Sequence, residues 1–520
     1  MIRVNNIHLS LDYDDKSVRK AVAQQLRIEE KSIKSCKIFR RSVDARKKDS
    51  IYFLTTVDAE LNINEDKVCK KCGNAQIARK YEYNQMKFGN APSPIVVGAG
   101  PAGLFAALIL ARSGANPILI ERGRDVDRRT ADVNRFWTSG QLDTTSNVQF
   151  GEGGAGTFSD GKLNSGTKDI RQRKVLEEFV SHGAPDEILY NAKPHIGTDM
   201  LKGTIKNIRN EIIELGGKVM FETKLVSMAF SDNKLKAITV ETANGDEIIE
   251  TDNIILAIGH SARDTFEMLY DLKLPIEAKP FSVGARIEHL RQKVDKAQYG
   301  RFAGNKKLGS ANYKLSTHLD NGRGVYTFCM CPGGKVVNAS SEENRLCTNG
   351  MSEFARDAEN SNSALLVGIN PDDYESNHPL AGMYLQRKLE SKAFVAGGEN
   401  YNAPIQRVDD FLNNRKSTHL GDVKPSIGPN YEFSNLNEIL PEYVSTSMAQ
   451  GIVKMGRMLH GFDDGDAVLT GVESRSSSPV RIMRKTDTLE SVLIEGLYPC
   501  GEGAGYAGGC LLYTSPSPRD

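Results

Sequence analysis

The feature that most constrains this chain's fold is a short strand, turn and helix signal at residues 95–110. Ile95-Val96-Val97 reads as a buried strand, Gly98-Ala99-Gly100-Pro101-Ala102-Gly103 as a glycine turn, and Leu104 to Leu110 as the apolar start of a helix. Each glycine has its own task. Gly98 permits the tight turn, Gly100 lets a pyrophosphate approach the backbone, and Gly103 lets helix and strand pack closely. Pro101 and Ala102 fall in the first helical turn, where proline's missing N–H is not needed and the free amides carry partial positive charge. A second strand, Pro117 to Ile120, runs into Glu121-Arg122. A carboxylate there accepts hydrogen bonds from a ribose diol and disfavours a 2′-phosphate.

A chain of 520 residues with 39% hydrophobic and 26% charged residues has room for two or three globular domains. The net charge of +1 gives no general attraction for nucleic acid or an anionic membrane. Clusters such as Arg40-Arg41 and Arg46-Lys47-Lys48 make the first 90 residues locally basic, which suits an acidic partner or a solvated face. Residues 1–85 read as a small ferredoxin-like α+β domain and 86–94 as a linker. The α/β pattern then suggests a Rossmann-type domain in two parts, 95–265 and 444–509, with a strand-rich α+β substrate lobe inserted at 266–443. The uncharged run Pro94 to Ala111 is broken by glycines and Pro101, so no membrane span is expected. The N-terminus lacks a secretory pattern and eight cysteines suit a reducing compartment, so a cytoplasmic location is expected.

Two later segments repeat the strand-to-glycine pattern: Ile254-Ile255-Leu256-Ala257-Ile258-Gly259, and Gly496-Leu497-Tyr498-Pro499-Cys500-Gly501-Glu502-Gly503-Ala504-Gly505. With the first turn, this trio resembles the FAD-binding pattern of the glutathione-reductase-like flavoprotein superfamily. That resemblance implies FAD as cofactor and places Glu502 near its ribityl or phosphate region. Three more segments narrow the match: Arg41 to Lys48, Gly151 to Leu163, and Phe328-Cys329-Met330-Cys331-Pro332-Gly333-Gly334. Together they resemble the bacterial family usually labelled uncharacterised FAD-dependent dehydrogenases, from about residue 2 to Gly509. The resemblance implies the fold and the flavin; the leading expectation built on them is an oxidoreductase passing a hydride through the flavin, with NAD(P)H as a transient donor and an unspecified small-molecule substrate.

The candidate cofactor residues are Gly98, Gly100, Pro101, Ala102, Gly103, Glu121, Arg122, Gly153, Gly154, Gly156, Thr157, Lys162, Ala257, Gly259, Gly501, Glu502 and Gly503. Gly151, Gly153 and Gly156 also spell G-x-G-x-x-G, but the polar Thr157 to Leu163 cannot supply the apolar helix of a second dinucleotide turn. A loop beside the flavin, or a purely structural glycine loop, fits better. Cys329 and Cys331, two apart in an expected strand, share a face and are catalytic candidates. His260, directly after Gly259, is the third; His195 and His289 read as structural. Cys69-Lys70-Lys71-Cys72 has half a zinc motif and no second half, so no metal is expected. Arg475 and Arg481 stand among hydroxyls as candidate anion donors.

Two alternatives remain open: a flavoprotein that binds or acts on RNA through its basic first domain, and a non-catalytic redox sensor. After Gly509 the family pattern leads to an apolar helix, whereas residues 510–520 carry Pro516 and Pro518 and cannot form one. A truncated or misassembled reading frame, with weakened FAD binding, is the expectation there.

Overall fold

The computed structural model describes residues 1–79, 82–85, 87, 89, 92–163 and 169–506. The expected 510–520 tail and part of the expected linker lie outside them. Alternation interrupted by one irregularity, between Val4 and Ile7, builds the first layer. Ile2–Leu9 buries Ile2, Val4, Ile7 and Leu9, and a four-stranded antiparallel sheet forms in the order Ile33–Asp44, Tyr52–Leu61, Ile2–Leu9, Ala75–Ile77. The helix Asp15–Leu26 starts where Asp14 accepts a hydrogen bond from the Ser17 amide at 2.8 Å, and it buries Val18, Val22 and Leu26. The apolar core of this unit runs on into that of the large strand-rich layer described below.

A five-stranded sheet follows, in the order Leu497–Pro499, Ile254–Leu256, Ile95–Val97, Ile118–Ile120, Lys218–Met220, with every neighbouring pair parallel. Short β-branched runs covered on both faces suit such a sheet. Val96 and Leu119 face the helices Pro101–Arg112 and Thr198–Glu214, while Ile95, Val97 and Ile254 face the antiparallel meander Lys224–Ser231, Lys234–Thr242, Gly245–Glu250.

The third layer is a seven-stranded sheet whose two central strands, Phe281–Leu290 and Asn360–Ile369, pair along all ten residues. Its extent differs from the expected 266–443. The chain crosses between layers where Ile276–Ala278 pairs with Val480–Ile482. The strand Val468–Glu473 inserts between Phe281–Leu290 and Ala403–Arg407, so this layer draws on the chain as far as Glu473. Among the described residues no helix is long and apolar enough to cross a membrane.

Candidate functional site

The turns that leave the parallel strands at their carboxyl ends open onto one cleft of about 890 Å³. Gly98, Gly100, Pro101 and Ala102 line it from the first turn, Glu121 and Arg122 from the second, Ala257, Gly259 and His260 from the third, and Gly501 and Glu502 from the fourth. Gly154 and Gly156 enter from the short Gly154–Phe158 helical turn. The glycines are dictated by space. Gly98 has φ +97° and its missing Cβ would overlap the Ala257 carbonyl oxygen, while a Cβ on Gly103 would overlap the Gly98 carbonyl. At Gly100 an added Cβ meets nothing closer than Gly154 Cα at 3.9 Å, so the backbone there is open to the cleft. The helix Pro101–Arg112 starts at that point, and its first amides have no intrahelical partner.

Glu121 stitches the turns together. One carboxylate oxygen accepts from the Ala99 amide at 2.8 Å, and the other from the amides of Gly123 at 3.0 Å and Gly151 at 2.9 Å. A carboxylate has about four acceptor sites, so three amides leave roughly one for a ligand hydroxyl. Arg122 is paired with Asp264 at 3.0 Å and lies over the Phe150 ring at 4.5 Å. The fully buried Arg129 donates to the carbonyls of Asn147, Val148 and Glu152 and so shapes the loop that presents Phe150; burial pushes its guanidinium down to about 10. His260 Nδ1 stands 3.1 Å from the Glu502 carboxylate, at an angle that is not that of a hydrogen bond.

Other sequence candidates lie elsewhere. Gly153 and Lys162 line a smaller neighbouring cavity that shares Pro101 and Gly156 with the cleft. Thr157 is buried and donates to the Glu152 carbonyl, and Gly503 packs against the Gly259 backbone. Cys329 and Cys331 do not share a face by simple alternation. The register against Asn360–Ile369 slips between Phe328 and Cys331, and Cys329 has φ +40°, which marks a bulge. Cys331 is buried, its thiol is pushed up by burial, and Lys162 Nζ lies 3.8 Å away. Neither thiol lines the cleft.

Arg475 is consumed by a buried ion pair with Glu390, and Arg481 donates to the Gly505 carbonyl at 3.3 Å, so the expected anion donors are engaged by protein groups. His289 lies 2.9 Å from the Phe462 carbonyl. Cys69 and Cys72 sit at the end of the helix Glu65–Lys71, and no group of three metal-ligating residues exists among the described residues. Residues missed in the sequence include Gln149, Phe150, Thr223 to Leu225, Ser261, Ala262 and Thr265, which line the cleft. The position of Phe150 directly before the Gly151 loop hinted at one of them.

Asp160 organises the loop after Gly156. It pairs with Lys162 at 3.1 Å and accepts from Arg356 at 2.9 Å and from the Ser352 hydroxyl. Burial alone would raise this carboxyl, but the charges of Lys162 and Arg356 bring it down to about 2 from an ordinary 3.8. A folded value below the unfolded one contributes stability in full above about pH 4, and that contribution is lost as pH falls toward about 2. The stability gap between the parent and Asp160→Asn is therefore expected to shrink over that window in denaturant titrations at stepped pH. A gap that stays constant down to pH 2 would contradict the pairing.

Three family models match the chain: an FAD-dependent protein C-terminal domain-like model at residues 280–476, an FAD binding domain at 93–132, and a domain of unknown function, DUF8436, at 1–60. An uncharacterized protein of Clostridium beijerinckii is 48% identical over 516 residues, covering 98% of this chain and 96% of that protein. Among solved structures, the flavin-dependent halogenase CmlS is 12% identical with a TM-score of 0.36, covering 82% of this chain and 55% of its own. A geranylgeranyl bacteriochlorophyll reductase-like protein of Thermoplasma acidophilum is also 12% identical, with a TM-score of 0.34 and coverages of 81% and 74%. Likenesses that distant carry no argument about chemistry. The FAD models cover both the first glycine turn and the strand-rich layer, and the clostridial match spans nearly everything: the chain belongs to the family of that clostridial protein and is an FAD-binding flavoprotein.

Proposed function

We propose that this flavoprotein is a dehydrogenase or reductase that passes a hydride between a small molecule and its flavin. One observation carries the reading: the turns after four parallel strands and the Gly154–Phe158 turn converge on a single cleft at the carboxyl edge of the sheet, where open α/β sheets hold elongated dinucleotides. Bound FAD supplies the hydride chemistry. The chain's own work is binding and orientation. The amides around Gly100 to Gly103 face the diphosphate, and Glu121 offers its remaining acceptor site to a ribose. Ala257, Gly259, Gly501 and Gly503 keep the neighbouring turns slim, while the Gly153 to Lys162 loop borders the flavin.

His260 and Glu502, 3.1 Å apart in the cleft wall, are the groups best placed to hold a proton there. The strand-rich layer supplies the substrate side of the site, and a nicotinamide nucleotide acts as a transient electron donor. Anaerobic titration of the purified protein with NADH, NADPH and a panel of metabolites tests this. Flavin absorbance is expected to bleach with one donor and recover on addition of an acceptor. Protein that takes up no added FAD overturns the cofactor site, and flavin that no donor reduces overturns the oxidoreductase reading.

A further inference from the structure

A second cleft, of about 1470 Å³, opens where the N-terminal unit meets the strand-rich layer and the loop before the helix Thr198–Glu214. Its lining carries five cationic side chains, Arg41, Lys193, Lys306, Lys307 and Arg356, against one carboxylate, Glu187. Arg356 is matched by Asp160, but two others have only neutral partners. The Arg41 guanidinium donates to Asn191 Oδ1 at 2.9 and 3.1 Å and to the Tyr13 hydroxyl at 3.0 Å. Lys193, an exposed residue, donates through Nζ to Asn312 Oδ1; partial desolvation in the cleft lowers its pKa, and the charges that act on it, Arg356 and Lys314, are both positive. His195, in the same wall, is pushed down to about 4 by burial and by Arg356, so it is neutral at pH 7. A basic run on a convex face is solvated at little cost. The same charges gathered in a hollow, with neutral hydrogen-bond partners and one acid, repel each other until an anion enters.

We propose that this cleft binds a phosphorylated small molecule, its phosphate held by Arg41 and Lys193, with the exposed Lys306 and Lys307 at the rim. The assignment stands apart from the flavin reading, because every residue it uses lies outside the flavin cleft. It also has a consequence for that cleft. Arg356 lines the basic hollow while holding Asp160, and Asp160 holds Lys162 at 3.1 Å on the loop that borders the flavin site. An anion that competes for Arg356 therefore loosens the Asp160 pairing.

Calorimetric titration of the full chain with inorganic phosphate, pyrophosphate, NADPH and a single-stranded RNA oligomer, at an ionic strength of about 0.15 M so that diffuse attraction is screened, tests the proposal. One-to-one uptake of a phosphorylated small molecule is expected, weakened about tenfold by Lys193→Gln and measurably by Lys306→Gln with Lys307→Gln. NADPH binding far tighter than phosphate or pyrophosphate identifies a dinucleotide; comparable binding identifies a free phosphate group as the recognised part. Should Lys193→Gln lower the melting temperature, the rim pair on its exposed segment decides. The proposal fails if no phosphorylated small molecule binds, if both variants keep the parental affinity, or if only RNA binds.

Discussion

Gly103→Val is expected to yield protein that retains no FAD and folds poorly. A Cβ at residue 103 overlaps the Gly98 carbonyl oxygen and lies 3.0 Å from its carbon and 3.4 Å from Val96 Cγ1. The first two are backbone atoms of the turn, which cannot swing aside as a side-chain end does. Gly98 cannot retreat either, because it is already pressed against Ala257 at φ +97°. The change therefore splits the helix Pro101–Arg112 from the strand Ile95–Val97, and the amide cradle at Gly100 is lost with it. A control separates this from a general intolerance of glycine substitution. Gly203 is exposed in the helix Thr198–Glu214 with nothing within 4 Å of an added Cβ, so Gly203→Ala is expected to stabilise by up to about 1 kcal/mol. The flavin-to-protein ratio after purification and the melting temperature report both. Normal flavin content in Gly103→Val would refute the steric account.

The cofactor was legible in the sequence because its signals are local. The segments at residues 95–103, 254–259 and 496–505 each join a short apolar strand to a glycine turn, and spacing along the chain suffices to read them. What the sequence hid depends on partners distant in the chain. Cys329 and Cys331 sit two apart, but the bulge that undoes their alternation is set by the register of Asn360–Ile369. Arg475 and its hydroxyl neighbours read as donors awaiting an anion, and the anion is Glu390, 85 residues earlier. Glu121 read as a ribose acceptor, yet amides from three turns occupy most of its capacity, and one of them, Gly151, comes from a loop 30 residues away. The boundary near 443 missed the strand Val468–Glu473 because its partner Phe281–Leu290 lies nearly two hundred residues upstream. A basic cluster seen along the chain likewise gives no sign of whether it covers a convex face or lines a hollow.

Glu390→Gln is expected to cost about 3–5 kcal/mol, since it breaks a buried ion network at one member. Glu390 is 0% exposed and accepts from Arg263 at 2.7 Å through both oxygens, from Arg475 at 2.8 and 2.9 Å, and from the Ser474 hydroxyl at 2.6 Å. Burial raises its carboxyl, but the two arginines outweigh burial and hold it well below the usual carboxylate range. Glutamine keeps the volume and removes the charge, leaving two guanidinium groups buried with only Glu342, at the edge of the cluster, to offset them. The loss reaches the flavin cleft. Arg475 also donates to Ser261 at 3.1 Å, Ser261 bonds Gln149 at 3.0 Å, and both Ser261 and Gln149 line that cleft. Replacing the trio together, as Arg263→Met, Glu390→Leu and Arg475→Met, removes the charges as a set and is expected to cost less than Glu390→Gln alone. Urea unfolding followed by circular dichroism measures both proteins. A loss under about 1 kcal/mol for the single change, or a triple variant weaker than the single, would show that these buried charges do not act as one mutually dependent set.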